Sequence, residues 1–328
     1  MKKFLLAILM AIPLIACSKP GGKVSLTFGS YSDSDVVELT DATIDGKLAS
    51  ENMLIVSYKE GTSCSCWHNF HRDVLLPNII KNHLRVYSIY TKYITDELVD
   101  KGFQRREDAP VLYIVKDGKV DKKFKYEDSY GFYTSETAFY NQIQIDCNLP
   151  KMFYCSKEYI DEEIAKDQQT SIFIMRTSCG DCKQAIPNVL TPYFSTHEGN
   201  LLTLDMDLYM GDTALYDEIK AHFHLTAASD TVFGYDTGFV PTLQIWNNGE
   251  LKDACVYLND KTNDEKTKVI RSYYTTERSS VLPFLANVNE QDRVIMNRDI
   301  PEEYKEKVGQ FFINCHAPII NGFLETYF

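Results

Sequence analysis

One stretch of this chain is written twice, and that duplication limits the possible folds more than any other feature. Thr62-Ser63-Cys64 returns as Thr177-Ser178-Cys179, and 13 residues after each cysteine stands a proline, Pro77 and then Pro192. Later, Pro110 and Pro241 each open a similar apolar stretch. The step from proline to glycine is 8 residues in both (Gly118, Gly249), and a tyrosine follows after another 8 (Tyr126, Tyr257). Four landmarks in one order define a repeated supersecondary unit rather than a chance match.

The copies have the same predicted elements. In the second, Lys157 to Lys166 has helical apolar spacing, Ser171 to Met175 is a β-rich run, Lys183 to Leu190 reads as a helix and Leu201 to Asp205 as a strand. Thr242 to Trp246 and Ala254 to Tyr257 flank Asn248-Gly249, a hairpin signal. The first copy offers strands at Asn52 to Tyr58, Leu84 to Tyr90, Val111 to Val115 and Lys122 to Lys125, with Asp117-Gly118 at the turn. Helical runs near Thr134 to Ile145 and Pro301 to Phe312 would close each copy.

Strand, cysteine site, helix, strand, proline, hairpin, helix resembles thioredoxin. The second copy has Cys179-Gly180-Asp181-Cys182 at a strand-to-helix junction, Pro187 where thioredoxins kink the active-site helix, and Val240-Pro241-Thr242 like the family's cis-proline loop. The resemblance implies an α/β chain of two thioredoxin-like three-layer α/β/α domains in tandem, the second enlarged by insertions. The expected boundaries are a signal peptide at 1–16, a tether at 17–34, domain 1 at 35–148 and domain 2 at 149–328. Extra material in the second copy, Asp207 to Gly238 and Asn259 to Ile300, carries the aromatic series Tyr209, Tyr216, Phe223, Phe233, Tyr235 and Phe239. Those rings either shape a groove near Pro241 or cover an enlarged core.

Redox exchange needs one thiolate that attacks and a second thiol that resolves the mixed disulfide. By resemblance Cys179 is the nucleophile, Cys182 the resolving thiol and Pro241 the cis-proline beside them. A cysteine at a helix N-terminus is favoured as thiolate. The other readings are a structural disulfide or half a zinc site, the nearest further ligands being His222 and His224. The pattern departs from thioredoxin at Ser178, where the family usually has tryptophan, and at Phe173, where it has a buried acid. Asp181 opposes thiolate formation, and Arg176 and Lys183 favour it.

In the first copy Trp67 stands at the place of Cys182, and a second cysteine appears at Cys66. Cys64 and Cys66 read either as a second redox pair with Pro110 as its cis-proline, or as part of a degenerate domain kept for packing or binding. A third reading takes Cys64, Cys66, His68 and His71 as metal ligands. Cys147 with Cys155, and Cys255 with Cys315, are candidates for structural disulfides; buried thiols acting as small apolar groups are the alternative.

The N-terminus sets the expected compartment. Lys2 and Lys3 precede an apolar run, Phe4 to Ile15, too short to cross a bilayer, and Leu14-Ile15-Ala16-Cys17 resembles a bacterial lipobox. That resemblance implies lipidation at Cys17 and a place on the extracytoplasmic face of the cell membrane, held in the bilayer by acyl chains. Net charge is −12, or −14 once Lys2 and Lys3 are removed, which disfavours nucleic acid as a partner. No nucleotide, flavin or haem motif is visible, so no cofactor is expected.

The leading expectation is therefore a cell-surface thiol–disulfide oxidoreductase working on exported proteins, with an extracytoplasmic or membrane partner exchanging electrons. The rivals are a non-enzymatic binding or scaffold lipoprotein and a metal-binding role for domain 1.

Overall fold

The computed structural model describes residues 22–31, 35–59, 65–105, 109–225, 240–256, 310, 313–314 and 317–328. The signal segment, Cys17, Cys64, Cys315, Tyr257, the 259–300 segment, most of the helix expected at 301–312 and the rings of Phe233, Tyr235 and Phe239 fall outside them.

The first half contains β1 (Val24–Ser25), β2 (Phe28–Ser30), β3 (Val37–Leu39), α1 (Asp41–Leu48), β4 (Met53–Tyr58), α2 (Ser65–Phe70), a π-helical turn (His71–Leu75), α3 (Leu76–Asn82), β5 (Val86–Tyr90), a 3-10 turn (Thr91–Tyr93) and α4 (Asp96–Asp100). It continues with β6 (Val111–Lys116), β7 (Lys119–Lys125), α5 (Tyr130–Thr134), α6 (Glu136–Asp146) and β8 (Cys147–Asn148). The second half holds β9 (Met152–Tyr154), α7 (Lys157–Ile164), β10 (Gln169–Met175), α8 (Gly180–Ala185), a π-helical turn (Ile186–Leu190), α9 (Thr191–Thr196) and β11 (Leu201–Asp205). It ends with a 3-10 turn (Met206–Tyr209), α10 (Thr213–His222), β12 (Thr242–Asn247), β13 (Glu250–Val256) and α11 (Ala317–Leu324).

Two sheets are built to one plan. The first runs β3-β5-β4-β6-β7, with β3, β5 and β4 parallel and β6 and β7 antiparallel. The second runs β9-β11-β10-β12-β13 in the same directions, with β2 added in parallel outside β9. That strand order is thioredoxin-like in both units. β4 and β10 are central, and their near-continuous apolar runs are buried on both faces. β7 ends the first sheet, and its lysines (119, 122, 123, 125) keep that edge from recruiting another strand. Both hairpins turn on paired left-handed residues, Asp117-Gly118 (φ 49° and 77°) and Asn248-Gly249 (φ 53° and 77°), as a type I′ turn requires.

The duplication extends to a detail that residue patterns did not show. α2 and α8, and the π-helical turns that follow them, sit 115 residues apart, the spacing of Cys64 and Cys179. Pro187 lies in the second turn, but the first has no proline within it, so proline alone does not cause the widening.

Each sheet is covered on both faces. Leu54, Phe70, Val74, Tyr133 and Phe139 form one core of the first unit, and Ile44, Ile55, Tyr87, Phe103 and Tyr113 the other. In the second unit Phe173, Cys182, Ile186, Phe194, Leu243 and Phe323 lie on one side, with Ile160, Ile174, Leu204, Phe223 and Trp246 on the other. Phe223 thus covers core, as one expectation had it.

Three expectations need correction. Residues 24–30, which fall within the tether expected at 17–34, are structural: β1 pairs with β8 and β2 with β9, and Val24, Leu26 and Phe28 are buried. Their apolar side chains tie the start of the chain to both units. Gly29 permits this, since a β-carbon there would lie 2.6 Å from the His83 carbonyl oxygen and 2.7 Å from the Phe153 ring.

The second correction concerns Cys147 and Cys155, which are buried thiols rather than a bridge. Cys147 packs into the first unit's core and Cys155 into the second's, so the two sulfurs face different interiors. Burial pushes both thiols up to about 12. Cys255 lies in the second unit's core, and its candidate partner Cys315 is outside the described residues. Third, Ala109–Pro110 is not cis; the cis bond among the described residues is Val240–Pro241.

Candidate functional site

Cys179 is the residue just before α8 and has extended backbone, φ −77° and ψ 127°. It is partly exposed, and its Sγ lies 3.5 Å from the Val240 carbonyl oxygen, next to Pro241. Cys182 is one helical turn on, fully buried against the Phe173 core, with the Arg176 N–H 3.5 Å from its sulfur. Both are thiols. The structure therefore brings Cys179, Cys182 and the Val240-Pro241 loop together, one sulfur facing out and the other in. An accessible attacking group with a resolving group sheltered behind it suits two-step thiol–disulfide exchange.

Two acids that sequence reasoning missed hold the approach to Cys179. Asp205, at the end of β11, accepts the Thr177 N–H (3.2 Å) and the Thr177 hydroxyl, as well as the Asp207 N–H (3.1 Å). Asp207 accepts the Ser178 N–H, the Ser178 hydroxyl (2.9 Å) and Arg176 Nε (2.8 Å). Residues 176–178 are thus pinned to the strand beside β10. The available signal was the pair of acids in Asp205-Met206-Asp207, at and just beyond the end of the strand expected at Leu201 to Asp205. Burial works against ionised Asp207, but hydrogen bonds from Arg176 and from the Ser178 N–H and hydroxyl outweigh it and hold the carboxyl below its usual range.

Stability from Asp207 is therefore present above the ordinary carboxylate pKa, near 4, and is lost as pH falls through the lower folded value. Asp207→Asn should cost about 1–2 kcal/mol at pH 7. The gap between variant and wild type should narrow in chemical denaturation at about pH 3. A gap that stays constant with pH would remove the carboxylate's role.

Phe173, at the place of thioredoxin's buried acid, is packed apolar core. His222 pairs with Asp161 at 2.8 Å on α7, away from the cysteines.

The first unit's matching site is built differently. Cys66 is buried and disulfide-bonded, to a partner outside the described residues; Cys64 is also outside them. Trp67 stacks on Tyr58 at 4.7 Å and on His71 at 5.4 Å, and His71 Nε2 meets Asp35 Oδ1 at 2.5 Å. His68 is exposed. A metal set of Cys64, Cys66, His68 and His71 is not what these residues form: the Cys66 sulfur is bonded to sulfur and His71 is turned to a carboxylate. Among the described residues no group of three such side chains converges.

No family model matches the chain. No curated protein matches it. Among solved structures, human ERp44 (form I) is similar at 15% identity and a TM-score of 0.32, over 65% of this chain and 49% of that one. This chain thus spans about half of ERp44. Thioredoxin from Trypanosoma brucei brucei is 17% identical over 31% of this chain and 75% of its own, with a TM-score of 0.22. Mitochondrial thioredoxin 3 from Saccharomyces cerevisiae is 19% identical over 30% and 76%, with a TM-score of 0.21. The fold assignment stands on the strand order and directions of the two sheets.

Proposed function

We propose that the chain is a thiol–disulfide oxidoreductase acting on exported proteins at the cell surface, through Cys179 and Cys182. The observation that carries this reading is the pair itself: a partly exposed Cys179 beside the Val240 carbonyl, backed by a fully buried Cys182. In the reducing direction the Cys179 thiolate attacks a substrate disulfide. One S–S bond breaks, a mixed disulfide forms and a substrate thiolate leaves. Cys182, once deprotonated, then attacks Cys179 Sγ and releases the second substrate thiolate. Two electrons pass to the substrate, both thiolates take up protons, and a dithiol partner restores the pair.

The location rests on the lipobox-like start, with Cys17 as the lipid-bearing residue. No helix among the described residues is long and apolar enough to cross a membrane. The first unit departs from this site: Trp67 fills the place of a resolving cysteine, and the disulfide at Cys66 is compatible both with a second redox pair and with a domain kept for binding.

The test is reduction of insulin disulfides by the full-length chain in detergent. Wild type should accelerate it with dithiothreitol as the final reductant, and Cys179→Ser should return the rate to background. A wild-type chain that leaves the background rate unchanged overturns the reading.

A further inference from the structure

The buried ionic cluster between the two units lies directly behind the redox loop. Lys47, on α1 of the first unit, is 7% exposed. Its Nζ donates to Glu51 Oε1 (2.9 Å), to the Tyr154 hydroxyl (2.9 Å) on β9 of the second unit, and to Thr177 Oγ1 (3.2 Å). All three N–H groups of the ammonium are used. The Thr177 hydroxyl in turn donates a hydrogen bond to Asp205, so a continuous line runs from Lys47 through Thr177 to the acid that pins the loop. A separate contact supports this arrangement. A β-carbon on Gly46 would lie 3.4 Å from Lys183 Nζ and 4.0 Å from Thr177 Cγ2, so α1 packs against the start of the active-site helix.

We propose that the first unit supplies a positioning residue to the second unit's redox centre: Lys47 holds the Thr177–Asp205 loop in place and sets how readily the Cys179–Cys182 pair is oxidised. This rests on the exchange reading above. Glu51, Tyr154, Tyr87 and Asp205 face the ammonium, and the Arg85 guanidinium lies 4.6 Å over the Tyr154 ring. On the loop side stand the Arg176–Asp207 pair and Lys183. Burial disfavours the cation, but Glu51 foremost, then Tyr154, Tyr87 and Asp205, hold Lys47 well above the ordinary lysine range. It is a fixed charge at any physiological pH, not a switch. A fixed cation behind the loop favours thiolate, and hence the reduced pair. Two thioredoxin-like units in one chain then form one redox device, in which the unit with the altered cysteines tunes the other.

The experiment equilibrates full-length wild type and Lys47→Met with glutathione buffers at pH 7 and reads the fraction of Cys179–Cys182 disulfide by mass spectrometry. Removing the cation should shift the equilibrium constant about threefold toward the disulfide. A merely structural contact would not move that constant in a folded variant. Because Lys47→Met leaves Glu51 buried without its cation, Lys47→Met/Glu51→Gln is measured alongside, with thermal melts confirming that the variants fold. Curves superimposable on wild type in a folded variant overturn the proposal. They do not touch the exchange reading, which falls only if the wild type fails on insulin. Conversely, a chain inactive on insulin still yields readable glutathione curves.

Discussion

Cys182→Ala is expected to hold a substrate protein on Cys179 as a stable mixed disulfide, and Cys179→Ser to capture none. The division follows from exposure. Cys179 is partly open at the start of α8, and Cys182 is sealed behind it among Phe173, Ala185 and Ile186. Attack by a bulky protein disulfide is possible at the first sulfur alone. Resolution must come from the second, by a short movement within one helical turn. Without Cys182 the mixed disulfide has no internal exit. Cys147 and Cys155 do not substitute, since they are buried in separate cores with their thiols pushed up to about 12, which leaves almost no thiolate at neutral pH. Non-reducing gels of cell extracts, with the adduct mapped by mass spectrometry, check the result. Equal adduct formation by Cys179→Ser would show that another sulfur attacks.

How far the residues foretold this arrangement depends on the range over which each feature is determined. β11 was expected at Leu201 to Asp205 and is found there, because an apolar run bounded by polar residues encodes a strand locally. Both hairpins were legible for the same reason, since Asp117-Gly118 and Asn248-Gly249 carry their own turn geometry. The duplication then gave the order of elements, and the resemblance to thioredoxin implied the meeting of Cys179 and Pro241. What stayed hidden was set by contacts between distant parts of the chain. Thr177 meets Asp205, 28 residues later, and Lys47, 130 residues earlier, and no periodicity announces either partner. The segment at 24–30 looked like tether because two short strands make little pattern; its role comes from β8 and β9. The candidate bridge between Cys147 and Cys155 failed similarly. An even cysteine count permits bridges, but Cys147 and Cys155 follow elements of different cores, and spacing does not tell which way a sulfur faces.

Glu51→Ala is expected to destabilise the protein more than any other single change at the junction of the units. The Glu51 carboxylate is almost completely enclosed, its side chain 1% exposed, and accepts three hydrogen bonds. They come from Lys47 Nζ at 2.9 Å, the Tyr154 hydroxyl at 2.6 Å and the Tyr87 hydroxyl at 2.6 Å. Truncation leaves a buried ammonium and two buried hydroxyls short of an acceptor, for a cost of about 3–5 kcal/mol. In a domain of this size that lowers Tm by on the order of 10 °C. Lys47→Met/Glu51→Gln, which removes both charges, should cost less than Glu51→Ala alone, because an uncompensated buried charge is worse than none. The cluster also predicts an alkaline limit. Lys47 is held above its ordinary 10.5, and burial pushes Tyr87 from 10.0 up to about 12. For both groups the folded state keeps a proton that the unfolded chain loses first. Their contribution is therefore complete below about pH 10 and declines as pH rises through the folded values. Urea unfolding of wild type from pH 7 to 11 should show that decline, and Glu51→Ala should flatten it. A loss under about 1 kcal/mol for Glu51→Ala would mean that water reaches the cluster and that the two units are not joined through it.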